Sequence, residues 1–461
     1  MPLRAVACGF PEREPEVPGY PGAMTTETVL RADAMLTPAG VIAPAELAFD
    51  ATGHISYAGP PRSASEVTHD LVGHALMPGL VNGHTHSAMT LQRGVSDDES
   101  FMQWLATVQG IEQQLTHDDL VAGLELALVE MIETGTVAFA DMYYWDEALI
   151  ERVRAAGMRV FAALACSATD HVAYPTVSPM TGAEVLDEVE RLAERYSEDP
   201  LVRVGFGPHA PYTCTPEFLR EVRSRALAGN IPIHTHISES AAEVSQLLEQ
   251  YGKTPGEHLA SLDFFDAEVH AAHCVHLTEG EIATFAATGT SVSHNPVSNL
   301  KLGNGIAPLP EMIGAGIALA IGTDSVASNN SLDLFEELKH ATILHRGVRQ
   351  DAAAVLGPQV LDIATRGGAA AIGFAESGAL AVGRFADIVA VDLAVTAAAP
   401  VAPEAHTTQS LTAHLVYASS GRDVRHVFIG GRHVYADGRH LTLDADAVRA
   451  RARAARARLV K

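Results

Sequence analysis

A chain of 461 residues with 47% hydrophobic and 6% aromatic side chains is too long for one ordinary compact domain and can bury a large, mostly aliphatic core. A net charge of −25 excludes a nucleic-acid surface or an anionic-membrane surface, because binding phosphates needs clustered Lys and Arg. The cysteines, Cys8, Cys166, Cys214 and Cys274, are far apart and form no C-x-x-C, and no apolar run is long enough to span a bilayer, so a disulfide framework, a zinc knuckle and a membrane span are all excluded and a cytoplasmic protein with reduced thiols is expected.

Residues 1–26 lack a sustained apolar stretch and are rich in proline, which predicts a poorly ordered extension rather than a secretion signal. From 28 to 60, TVLRADAMLTPAG and ELAFDATGHISYAGP read as short strands punctuated by Gly40, Gly53 and Gly59. The same texture returns in GRFADIVAVDL (383–393), LVYASSG and DVRHVFIGGRHVYADGRHL. Two β-rich flanks predict one composite β-sandwich built from both ends of the chain, residues 27–78 plus 379–443. The last stretch, 444–461, predicts a helix with Asp444 or Asp446 as its cap and a solvated basic face.

Between the flanks, apolar strand runs alternate with amphipathic helical runs. The strand candidates are ALMPGLV (75–81), TVAFADM (136–142), RVFAALA (159–165), VRVGFGP (202–208), IPIHTHI (231–237), EVHAAHC (268–274), TSVSHNP (290–296) and IALAIGTD (317–324). Eight βα units predict an α/β fold, a distorted TIM (β/α)8 barrel over residues 79–378.

Functional side chains of such barrels sit at the C-terminal ends of the strands. Here those ends carry His84 and His86, then His209, His236, His273, His294 with Asn295, and Asp324. Strand residues i and i+2 share a face, so the His-x-His of VNGHTHSAMT places both imidazoles inside the barrel, where they can grip one ion. The same alternation points His234 and His236 in one direction and does not choose between them. Burying so many imidazoles with a carboxylate is costly without a cation. Imidazole and carboxylate donors suit Zn2+, with Fe2+ the nearest rival. Such an ion lowers the pKa of water to about 7 and supports hydrolytic attack on an electrophilic carbon. A second ion bridged by a carbamylated lysine is excluded, because the only lysines, Lys253, Lys301, Lys339 and Lys461, lie outside the stretch between His86 and His236.

The stretches PGLVNGHTHSAMTLQRG, GFGPHAPYTC, HTHISES, AAHCVHL, SHNPVSNLKLGNGIAPLPEM and GTDSVASNNSLDLFEEL resemble the amidohydrolase superfamily. More narrowly, they resemble its mononuclear branch of S-adenosylhomocysteine, 5'-methylthioadenosine and adenosine deaminases, with the chlorohydrolases nearby. The resemblance implies His84, His86, His236 and Asp324 as metal ligands, the family's His-x-x-Glu pattern selecting His236 through Glu239. It implies Glu239 as the carboxyl that handles the ring proton, His273 as the group that orients the attacking oxygen, and Asp324 as a partner in deprotonating water. It implies Glu112 and His209 as substrate-binding residues, with Trp104 in the same run as Glu112. His294 and Asn295, which match a motif backing the ligands, are expected with the substrate-binding group. The expected activity is hydrolytic deamination of a purine nucleoside by a homo-oligomeric enzyme, giving the inosine analogue and ammonia.

Relatives that take S-adenosylhomocysteine are expected to offer an arginine after the third strand. ALACSATDHVAYPTVSP has none between Arg159 and Arg191, so adenosine, 5'-deoxyadenosine or 5'-methylthioadenosine is expected ahead of S-adenosylhomocysteine. Two alternatives stay open: a deaminase or chlorohydrolase of a free heterocycle (guanine-type, pterin or s-triazine), and a non-catalytic barrel subunit.

Overall fold

A computed structural model describes residues 27–460. The expected disorder of residues 1–26 lies outside them. No helix among the described residues is long and apolar enough to cross a membrane.

Eight parallel strands close into a barrel: β1 (Leu80–Thr85), β2 (Thr136–Tyr143), β3 (Arg159–Cys166), β4 (Val202–Pro208), β5 (Ile233–Ile237), β6 (Val269–His273), β7 (Ser291–His294) and β8 (Leu319–Ile321). The ring closes where Ile321 of β8 pairs in parallel with Asn82 of β1. Helices cover the outside, their starts marked by N-caps such as Thr181, Thr215 and Thr278, each accepting from the backbone N–H three residues on.

The chain ends build a nine-stranded sheet. Its centre is strand His69–Pro78, parallel to Thr28–Thr37 on one side and antiparallel to Ile388–Asp392 on the other. Phe49 and Phe428 lie four strands apart in the sheet order, yet their rings are 6.1 Å apart. Strands spaced about 4.8 Å apart cannot bring such rings together unless the sheet curls over itself. The curl gives a sandwich-like section around a small separate core that includes Leu30, Leu47, Phe49, Ile388 and Phe428.

Three expectations are corrected. ALMPGLV is not one barrel strand: Ala75–Pro78 pairs in the sheet, and the chain turns at Gly79 before β1 starts at Leu80. A Cβ at Gly79 would lie 2.2 Å from Val137 Cγ1, so only glycine fits this corner. LVYASSG is not a strand: Leu415–Tyr417 end the helix Thr408–Tyr417, whose Leu411, Leu415 and Val416 are buried at helical spacing. The C-terminal helix Ala445–Leu459 is capped by Asp444, but its basic face is only partly solvated, with Arg451 and Arg458 about half exposed. Arg449, Arg451 and Arg458 pair with Glu133, Glu125 and Asp119 of the helix His117–Glu133, and Arg456 donates to the Leu91 carbonyl at 2.6 Å.

Candidate active site

The strand ends bring His84, His86, His236, His273, Glu239 and Asp324 together, with His209 and Glu112 beside them along one cavity of about 520 Å3. His84 comes from β1 and His86 from just past its end, His236 from β5, His273 from β6, and Asp324 from the turn just after β8. Four non-glycine residues at these ends, Ser238, His273, Cys274 and Asp324, hold φ values of 53°, 71°, 52° and 62°. Left-handed backbone costs an ordinary residue about 1–3 kcal/mol and persists where the surroundings over-determine it.

The tautomers follow from the outer hydrogen bonds. His86 donates its Nδ1–H to the Met142 carbonyl (2.5 Å), and His236 donates its own to the His209 carbonyl (2.7 Å). With Nδ1 engaged in each ring, Nε2 is left to offer its lone pair, and these two nitrogens face each other at 3.3 Å. His84 Nε2 is buried with no hydrogen-bond partner and lies 3.5 Å from Asp324 Oδ1; His86 Nε2 is 3.4 Å from the same oxygen. Burial keeps the His84 ring neutral, pushing it down to about 3. Converging lone pairs and a carboxylate oxygen, with no donor among them, fit a divalent metal. A tetrahedral ion with ligands about 2.0–2.1 Å away would separate two nitrogens by about 3.3 Å.

His234 is resolved as a support. Its Nε2 lies 2.9 Å from His84 Nδ1, one layer deeper in the barrel. With His84 Nε2 left bare, Nδ1–H is the donor and His234 the acceptor. Asp324 Oδ2 accepts from Ser298 Oγ (2.6 Å) and Ser328 Oγ (2.7 Å), leaving Oδ1 toward the imidazoles.

Glu239 lies in the loop after β5, two residues past Ile237. Burial, followed by the Asp324 charge, pushes its carboxyl up to about 8, so it is an acid at neutral pH. Its Oε1 accepts from Asn304 Nδ2 (3.1 Å) and lies 3.9 Å from His273 Nε2. His273 donates Nδ1–H to Asn299 Oδ1 (2.9 Å), which leaves Nε2 as an acceptor facing the cluster. The backbone N–H groups of Ser238 and Glu239 are held by the buried Glu243 carboxyl, at 3.1 and 2.7 Å.

Other side chains line the rest of the cavity. Thr213 donates its hydroxyl to the Ala210 carbonyl (3.0 Å), so it accepts from His209 Nδ1–H (3.1 Å) and leaves His209 Nε2 as an acceptor on the cavity. Glu112 accepts from the Tyr143 hydroxyl at 2.6 Å, and burial raises its carboxyl. Trp104 donates its indole N–H to the Ala327 carbonyl (3.1 Å) and lines the cavity with its ring. His294 and Asn295, expected with the substrate-binding residues, do not line it. His294 is buried against His345, and Asn295 accepts from Ser293 Oγ and sits 3.4 Å behind His273 Nδ1. Tyr143, Ser298, Asn299 and Asn304 were not singled out from the sequence. The last three lie inside the quoted SHNPVSNLKLGNG run, whose crowding of small polar residues was the available signal.

Neutral imidazoles that face one another need a cation between them, and an acid held protonated beside them needs a substrate to receive its proton; the class so defined is the metal-dependent hydrolase barrels. The chain belongs to the amidohydrolase family, whose model matches residues 75–434, and it is a hydrolytic deaminase. It is 41% identical over 389 residues to a 5-methylthioadenosine/S-adenosylhomocysteine deaminase of Syntrophobacter fumaroxidans, covering 82% of this chain and 86% of that one. It is 40% identical over 369 residues to the protein of the same name from Bacillus cytotoxicus, covering 79% and 82%. Among solved structures, an adenosine deaminase from Xanthomonas campestris with bound zinc superposes with a TM-score of 0.87 at 34% identity, covering 94% of this chain and 98% of that one. A triazine hydrolase at 23% identity and a TM-score of 0.83 shares the fold.

Proposed function

We propose that this protein is a zinc-dependent deaminase of adenine nucleosides that prefers an uncharged 5' substituent. The observation that carries this reading is the cavity itself. The His–Asp cluster and protonated Glu239 stand at one part of it and the Glu112 carboxyl at another, and no lysine or arginine among the described residues lines it. A carboxylate such as Glu112 suits two ribose hydroxyls and has no function for a bare heterocycle. An uncompensated amino-acid carboxylate would bind poorly in a cavity without a cationic partner.

His84, His86, His236 and Asp324 would hold the ion, and their N3O donor set suits Zn2+, with Fe2+ its nearest rival. Bound there, the cation would supply Lewis acidity and lower the pKa of water to about 7. Asp324 takes a proton from the attacking water, and His273, with its Nε2 lone pair, orients the oxygen toward C6 of the adenine. Glu239 gives its proton to ring N1, so the ring takes up the electron pair without accumulating charge. The C6–O bond forms, the proton held by Asp324 passes to the exocyclic nitrogen, the C6–N bond breaks with ammonia leaving, and the C6 hydroxyl gives its proton back to Glu239 as the carbonyl of the hypoxanthine nucleoside forms. The Trp104 ring and His209 Nε2 bind the substrate, and the surrounding apolar wall excludes water.

The test is an ammonia-release screen with zinc-loaded protein over adenosine, 5'-deoxyadenosine, 5'-methylthioadenosine, S-adenosylhomocysteine, guanine and s-triazines. The expected result is that one of the first three has the highest kcat/KM. A higher value for S-adenosylhomocysteine would overturn the 5' preference, and turnover of free bases alone would overturn the nucleoside reading. Chelation should abolish activity and zinc should restore it.

Loss of an outer hydrogen bond to a metal ligand weakens metal binding by about 10–100-fold. Ser298→Ala, which removes one of two hydroxyls from Asp324 Oδ2, is expected to do so in competition with a chromogenic chelator.

A further inference from the structure

We infer that the segment Ser298–Asn304, one helical turn and a glycine-flanked loop after β7, orients three reactive side chains at once, and that Asn304 within it is a positioning residue that fixes which oxygen of Glu239 carries the transferable proton. The inference rests on the reading of Glu239 as the proton carrier.

Three side chains of this short run each donate to, or accept from, a different strand end. Ser298 Oγ donates to Asp324 Oδ2 after β8 (2.6 Å), Asn299 Oδ1 accepts from His273 Nδ1–H at the end of β6 (2.9 Å), and Asn304 Nδ2 donates to Glu239 Oε1 after β5 (3.1 Å). All three are buried. Asn304 is itself held on both sides of its backbone: its N–H donates to the Asn299 carbonyl (2.9 Å) and its carbonyl accepts from His276 Nε2–H (2.8 Å). Gly303 and Gly305 flank it with φ of 68° and 120°. A Cβ at Gly305 would stand 3.1 Å from Val275 Cγ1. The Gly-Asn-Gly sequence is therefore the backbone solution that turns the Asn304 amide inward.

The chemistry follows from the inventory of a carboxylic acid. A protonated carboxyl has one oxygen that only accepts and one that donates. An amide N–H on Oε1 marks Oε1 as the acceptor and leaves the proton on Oε2. Without Asn304 the two oxygens become interchangeable, and the acid spends part of its time with its proton misdirected. Substrate binding and metal retention do not depend on that choice; the proton-transfer step does.

The experiment is steady-state kinetics with metal analysis on zinc-loaded Asn304→Ala, Asn304→Asp and Asn304→Gln, beside Glu239→Gln. The isosteric Asn304→Asp removes the N–H and keeps the shape, which guards against a fold defect in the alanine variant. Losing one buried hydrogen bond predicts a kcat about 10–100-fold lower for Asn304→Ala and Asn304→Asp, with KM within twofold and zinc stoichiometry unchanged. Asn304→Gln, which keeps an amide donor, should recover part of the loss. Wild-type kcat in both the alanine and aspartate variants, or a loss that tracks only missing zinc or a raised KM, overturns the inference. If Glu239→Gln is inactive while both Asn304 variants keep full kcat, the inference alone falls; if Glu239→Gln is fully active, the reading of Glu239 falls with it.

Discussion

Glu239→Gln is expected to lower kcat on the best nucleoside by about 10³-fold, within the range for loss of a general acid, while zinc content and thermal stability stay near wild type. The argument is one of charge and shape. The Glu239 carboxyl, pushed up to about 8 chiefly by burial, is neutral at working pH, and an amide is neutral and nearly isosteric with it. The Asn304 contact to Oε1 can be kept by the glutamine carbonyl oxygen. Folding, the imidazole cluster and the cavity should therefore persist, and only a transferable proton on a carboxyl is lost. Full activity with zinc retained would remove Glu239 from the chemistry.

Asp387→Ala is expected to cost about 3–5 kcal/mol of stability without touching the reaction. Arg159 opens β3 on the barrel floor, and Asp387 stands where the chain re-enters the sheet. Their bidentate pair, Nε to Oδ2 at 2.9 Å and Nη2 to Oδ1 at 3.2 Å, is almost wholly shielded from solvent. Asp387 also takes the Gly430 N–H (2.6 Å) and the Ser377 hydroxyl (2.5 Å), while the guanidinium lies 4.2 Å over the Phe385 ring. Alanine would strand a buried cation and orphan the Gly430 and Ser377 donors at the seam between barrel and sheet. The check is thermal and denaturant unfolding, with kcat measured well below the transition. A midpoint within a degree of wild type would show that the seam does not depend on this pair; a changed kcat in the folded variant would show that the floor is coupled to the opposite rim, where the site lies.

Much of the site was legible because its logic is local. A two-residue period is a property of any strand, so His84 and His86 could be assigned to one interior face before any coordinates. His234 and His236 show where that logic ends. Both face inward, and two residues along a strand shift a side chain by about 6.6 Å. Depth along the barrel axis therefore decides that His236 meets His86 and His234 lies under His84, and depth is a property of the closed ring.

The same limit explains the corrections. Ala75–Pro78 and Leu80–Val81 are equally buried, so their hydrophobicity is continuous, yet a glycine corner assigns them to different sheets. The arginines of the last helix look solvated in isolation, and three of them are paired because Asp119, Glu125 and Glu133, more than 300 residues earlier, present the complementary face. His294 and Asn295 share a motif with residues that touch the reactive groups, but their own side chains point into the layer behind.

By itself the sequence determined the repeated βα order, the strand-end histidines, the pairing of the chain's two ends and the lack of cationic side chains after the third strand, since each depends on period, composition or spacing. Only the tertiary structure decided which nitrogens are left without protons, which asparagine holds which acid, and where the carboxyls of Glu112 and Glu239 stand along one cavity. Those are set by hydrogen bonds between residues far apart in the chain, and such bonds exist only once the barrel has closed and excluded water.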